Sequence, residues 1–189
     1  MEPHLPTTHP SPLPDGPWLL ERERRRRQEG SGIAAAELVG TWLLVQTWPR
    51  RSNQPAVISS AILRGLQASL TLAAPARATG DPKALFTIVN RVQLGALEFR
   101  FEGRAWLQGR RPLLLFRFER LRLRLGRWHC LDRPLPGPGD GAAASGRTKG
   151  LPFFALISTG STPPWLAARG RGGGLAIWRR LPEASIAKV

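Results

Sequence analysis

The chain contains no tyrosine, one cysteine and one methionine, and it is poor in acid: 13 Asp and Glu stand against 28 Lys and Arg in 189 residues. The single thiol, Cys130, excludes a disulfide framework within one chain and suits a reducing compartment. Scarcity of acid leaves a net charge of +15, carried almost wholly by arginine, which favours polyanionic partners such as nucleic acid or an anionic membrane surface. No run approaches the roughly 18 uninterrupted apolar residues of a membrane-spanning helix. The start, MEPHLPTTHPSPLPDGP, lacks the apolar segment of a secretory signal, and with Glu2, Asp15 and no arginine it makes a poor transit peptide. A soluble or peripheral protein is expected.

Histidine is equally sparse. His4 and His9 lie in the proline-rich start, and His129 adjoins Cys130. Neighbours on a strand point to opposite faces, so these two do not form a nucleophile and base pair. No two histidines have metal-site spacing with a third ligand, and no Gly-x-Ser-x-Gly elbow occurs. Asp81, Asp132 and Asp140 fall in predicted turns or loops, where carboxylates are common for local reasons. No catalytic residue, metal or cofactor is therefore expected, and the chain reads as a non-enzyme.

What the sequence does have is a hydrophobic share of 42% distributed in alternating runs, enough for one domain with tails. Residues 1–16 are proline-rich and expected to be disordered. Residues 17–30 predict a short charged helix: Pro17 suits a first turn, Glu21–Arg25 and Glu23–Arg27 are spaced for pairing, and Gly30 stops it. Arg24 to Arg27, flanked by Glu21, Glu23 and Glu29 that cancel part of the charge, reads as a solvated face. The strand domain is expected over 37–181. ELVGTWLLVQTW is a first strand. Residues 55–72 allow a helix over an opening followed by a short strand from Ala68 to Leu72. ALFTIVNRVQ, ALEFRFEGRAWLQ and LLLFRFERLRLRLG alternate clearly, and in the last the apolar phase slips at Glu119-Arg120, as a β-bulge in a bent strand requires. RWHCL, LPFFALIST, WLAARG and LAIWRRL complete eight or nine strands, with a mobile loop at 133–150. Closing such a meander removes its edges, so the expected class is mainly β: a lipocalin-like antiparallel β-barrel with a short N-terminal helix.

The segment WLAARGRGGGLAIWRR places an arginine and glycine knot between apolar runs. It lacks the lysine and hydroxyl of a phosphate loop, and it occurs once rather than as a polar repeat, so it predicts a hairpin whose glycines supply positive φ.

LVGTWLL at 38–44, IVNRV at 88–92 and LPFFALI at 151–157 followed by WLAARGRGGGLAIWRR resemble the plastid lipid-associated protein family, also called fibrillins, over about 37–181. The resemblance implies a lipocalin-like barrel that associates with lipids, carotenoids or quinones. It also implies a place at the thylakoid periphery of a cyanobacterium, or at plastid thylakoids and plastoglobules. Gly40-Thr41-Trp42 matches the glycine-x-tryptophan signature shared with lipocalins, in which a late arginine stacks on the indole; Arg169 and Arg179 are the candidates, Arg169 slightly favoured. Phe86, Ile88, Asn90, Leu97, Phe99, Phe101, Leu114, Phe116 and Phe118 are expected on inward faces, where they either line a cavity for an apolar ligand or fill the core. Arg100, Arg104, Arg122 and Arg124 form an expected basic face for anionic lipid heads, with a nucleic-acid-binding module as the alternative. A monomer is expected.

Overall fold

The structure, a computed structural model, describes residues 13–50, 65, 67–74, 85–136 and 150–182. A helix, α1 (Gly16–Glu29), and a single helical turn, α2 (Ala35–Leu38), precede nine strands. These are β1 (Gly40–Trp48), β2 (Ser69–Ala73), β3 (Phe86–Leu94), β4 (Leu97–Gln108), β5 (Leu113–Leu125), β6 (Trp128–Pro134), β7 (Phe153–Ser161), β8 (Pro164–Gly170) and β9 (Leu175–Arg180). All pairings are antiparallel. The sheet runs β4-β3-β2-β1-β9-β8-β7-β5-β6 and closes in a ring through the β4–β5 pairing.

Strand β5 is the element that gives the sheet its shape. Its first residues, Leu113 to Leu115, pair with Phe153 to Ala155 of β7, whereas Arg120 to Leu125 pair with β6. The ring therefore closes through the near half of β5, and the far half carries an extension in which β3, β4, β5 and β6 lie side by side. Between the halves the β4–β5 register shifts after Glu102, leaving Glu119 as the extra residue. The slip expected at Glu119-Arg120 is thus a bulge. It keeps Leu114, Phe116 and Phe118 on the same face as Leu121, Leu123 and Leu125. Opposite the bulge stands Gly103, where an added Cβ would meet the Arg117 carbonyl oxygen at 1.8 Å, so the close approach of the two backbones demands glycine.

The ring interior is filled by Trp42, Leu70, Leu72, Phe86, Ile88, Ala105, Leu114, Phe116, Leu156, Leu166, Ala168 and Trp178, with Ile33 and Leu38 packed onto them. A second cluster lies on the outer side, where Leu19 of α1 joins Trp48, Ile157, Ala167, Leu175 and Ile177. Strands β1, β7, β8 and β9 are thus covered on both faces, which explains why their sequences are apolar without clean alternation.

The helix begins earlier than the proline-rich tail was expected to end: Asp15 caps it by accepting from the Trp18 N–H at 2.8 Å, and Gly16 is already helical. The packed unit likewise starts before residue 37, since Leu19 and Ile33 are core residues. The intrahelical pairs form, Arg25–Glu21 at 3.2 Å and Arg27–Glu23 at 3.4 Å. Within 55–72 the short strand is β2; Val57, Ala61, Leu63 and Leu66, on which the helix was expected, lie outside the described residues, as do 1–12 and 137–149 of the tail and loop. Arg133 and Pro134, expected in the loop, close β6.

Candidate functional site

Cross-strand register shows which residues share a face. Phe86, Ala105 and Phe116 form one row; Ile88, Gly103 and Phe118 the next; Asn90, Phe101 and Leu121 the third. Beyond these, Val92, Phe99, Leu123 and Leu131 lie in line, and then Leu94, Leu97, Leu125 and Trp128. All nine residues expected to face inward therefore lie on one continuous surface, which divides into two parts. Phe86, Ile88, Leu114 and Phe116 are buried in the packed interior, with Phe118 half-buried against it. Asn90, Leu97, Phe99 and Phe101 lie on the extension, where no described element covers them fully and Phe99 is 38% exposed.

An aromatic series joins the two parts. Trp178 meets Phe154 edge-on at 5.3 Å between centroids, Phe154 stacks on Phe116 at 5.2 Å, Phe116 contacts Phe118 at 5.3 Å, and Phe118 contacts Phe101 at 5.5 Å. Such offset and edge contacts order the rings without closing the face to further apolar material. Asn90, opposite Phe101, is the polar residue in that row among strands β3 to β5.

The other face of the extension is a lattice of ions. Arg91 pairs with Glu98 at 2.5 Å, Arg100 with Glu102 at 2.7 Å, and Arg122 with both Glu102 at 3.0 Å and Asp132 at 3.3 Å. Arg120 also holds Asp132 at 2.5 Å, and its hydrogen bond is the largest influence keeping the Asp132 carboxyl below its ordinary value. The bulge places Glu119 between Arg104, at 3.2 Å, and Arg117, at 2.8 Å, two arginines that stand directly opposite each other. A groove of about 670 Å³ follows this face past Thr87, Val89, Glu102, Arg104, Glu119 and Arg120. Of the expected basic face, Arg100, Arg104 and Arg122 are thus engaged by acids, while Arg124 donates to the Gly126 carbonyl at 3.5 Å.

The arginine over the first-strand indole is neither Arg169 nor Arg179 but Arg180, whose guanidinium lies 5.8 Å from the Trp42 ring centroid. Register explains the difference: Trp42 pairs with Arg180, so both project to one face, whereas Arg179 pairs with Leu43 and is exposed. Trp42 is buried, and its Nε1 donates to the Leu38 carbonyl at 2.8 Å. Gly40 gives Arg180 room, since a Cβ there would lie 2.7 Å from its Nε.

Arg169 has another partner that the sequence did not reveal. Glu23 of α1, 2% exposed, accepts from Arg169 Nε at 2.8 and 2.9 Å and from its Nη2 at 2.6 Å, and from Arg111 Nη2 at 2.6 Å. Arg169 also donates to the Gly173 carbonyl in the hairpin turn, and Arg171 to the Gly150 carbonyl. Burial raises the Glu23 carboxyl, but the bonds and charges of Arg169 and Arg111 outweigh it and hold the group below its ordinary value. The one available signal was the Leu19/Glu23 spacing, which puts both on a single helix face.

Among the described residues no group of three or more His, Cys, Asp or Glu is placed to hold a metal ion, and no helix is long and apolar enough to cross a membrane. His129 and Cys130 are both exposed on β6, with His129 paired to Arg124 across the sheet. No protein-family model and no curated protein matches the chain.

Proposed function

We propose that the protein is a non-enzymatic binder of an apolar small molecule, a lipid, carotenoid or quinone, which lies along the aromatic face where it leaves the ring at Phe101. The observation that carries this reading is the apolar face running from buried Phe116 to exposed Phe99 and Leu131, with Asn90 and Arg133 at the two ends of the Phe101 row. A sheet that served only to fill itself would end its apolar face where the ring ends. Here the bulge at Glu119 keeps that face in phase for three more leucines. Arg180 over Trp42 supports the finer reading of the ring as a lipocalin-like barrel of the plastid lipid-associated type, and with it peripheral attachment to photosynthetic membranes or lipid globules. The paired state of Arg100, Arg104 and Arg122 weighs against nucleic acid, because neutralised arginines release few phosphate counterions.

The test is solvent extraction of natively purified protein, followed by titration with an apolar fluorescent probe. A pigment or quinone spectrum is expected in the extract, together with probe binding that Phe101→Arg weakens by about tenfold or more. An empty extract with binding indifferent to Phe101→Arg, or a nuclease-sensitive absorbance at 260 nm, overturns the proposal.

A further inference from the structure

The extension ends in two hairpin turns built alike. Gly95-Ala96 joins β3 to β4 and Gly126-Arg127 joins β5 to β6, each a two-residue loop opened by a glycine at φ +57°. The turns are tied together by the Gly126 N–H, which donates to the Ala96 carbonyl at 2.7 Å. Around them stand Leu94, 58% exposed, Leu125, 50%, and Trp128, 67%, together with Leu97, all in one row across four strands. Arg127 lies 5.7 Å from the Trp128 ring centroid. Among the described residues Arg124 and Arg127 have no acidic partner, unlike the arginines further back on the polar face.

We infer that this double turn is the membrane contact of the protein and that its partner is the surface of an anionic bilayer. A tip with an exposed indole and leucines enters the headgroup layer, where an aromatic with a polar edge is favoured. The unpaired arginines beside it supply the charge complementarity that commits the tip to lipid phosphates. The apolar face behind the tip runs on to Phe101, so a molecule leaving the bilayer there would keep one side on apolar surface. The inference rests on the membrane half of the proposed function and is independent of which ligand is carried.

The test is co-sedimentation of the full chain with vesicles of phosphatidylcholine alone or with phosphatidylglycerol, at low and high salt. Wild-type protein is expected to bind the anionic vesicles and to weaken in high salt. A Leu125→Ala/Trp128→Ala variant should lose about tenfold or more in partitioning, since an apolar side chain of that size contributes at least that much when buried. Leu85→Ala, which trims a leucine exposed elsewhere on the surface, should leave it unchanged. Trp128→Phe, a conservative variant, should still bind, with much of the fluorescence quenching by brominated lipid removed. If wild type binds no vesicle, the membrane reading itself fails. If wild type binds but the tip variant partitions as before, or quenching is unaltered in Trp128→Phe, the bilayer is met elsewhere and the inference fails alone.

Discussion

Glu23 shows how one buried carboxylate ties distant parts of the chain together. It joins α1 to Arg111 in the turn before β5 and to Arg169 near the end of β8, positions separated by 88 and 146 residues in sequence. Replacing it with glutamine leaves two arginines facing each other without their shared anion. Breaking a fully buried pair costs about 3 to 5 kcal/mol; Arg169 and Arg111 keep 22% and 23% side-chain exposure, so E23Q should lose about 2 to 3 kcal/mol at neutral pH, measured by urea unfolding. Because the folded carboxyl titrates below its ordinary value, its contribution is complete above the unfolded value and disappears as pH falls through the folded one. Wild-type stability should therefore decline on the acid side more steeply than that of E23Q. At this scale the sequence was only partly legible. The pairs within α1 follow from helical spacing, but a contact across 146 residues leaves no periodic trace. The choice of Arg180 over Arg169 depended on a register that single-sequence reading does not resolve.

Among the elements, β5 was the most legible, because its two alternating halves and the slip between them translate directly into a bulged strand. Its consequence is testable by deletion. Without Glu119, Leu121, Leu123 and Leu125 would rotate onto the ionic face, or Leu114, Phe116 and Phe118 would leave the interior. Either outcome puts three large apolar side chains among arginines and carboxylates. The deletion should drive the protein into the insoluble fraction on expression, whereas Glu119→Gln, which keeps the chain length and loses only the bridge between Arg104 and Arg117, should remain soluble. Helix α1 was legible in extent but not in placement. Its arginines read as a solvated face, and Leu19 with Glu23 is too short a stripe to announce a docking face opposite.

At the scale of the whole molecule, strand count and mainly-β class followed from alternation, while the closure of the ring through only the near half of β5 did not. Nothing in the alternation of β6 distinguishes a ring strand from one attached outside it. The distinction has a kinetic meaning. Every residue of β6 is exposed, and among the described residues the strand pairs only with β5. It can therefore detach while the β4–β5 closure and both core clusters stay intact, an opening far smaller than global unfolding. In native-state hydrogen exchange the amides of 128–134 bonded to β5 should exchange well before those of Ala105 to Leu107, and without the denaturant sensitivity of the core. Bound vesicles should slow that exchange if Trp128 is held in the headgroup layer. The strand would then be a hinged flap whose opening the bilayer itself restrains.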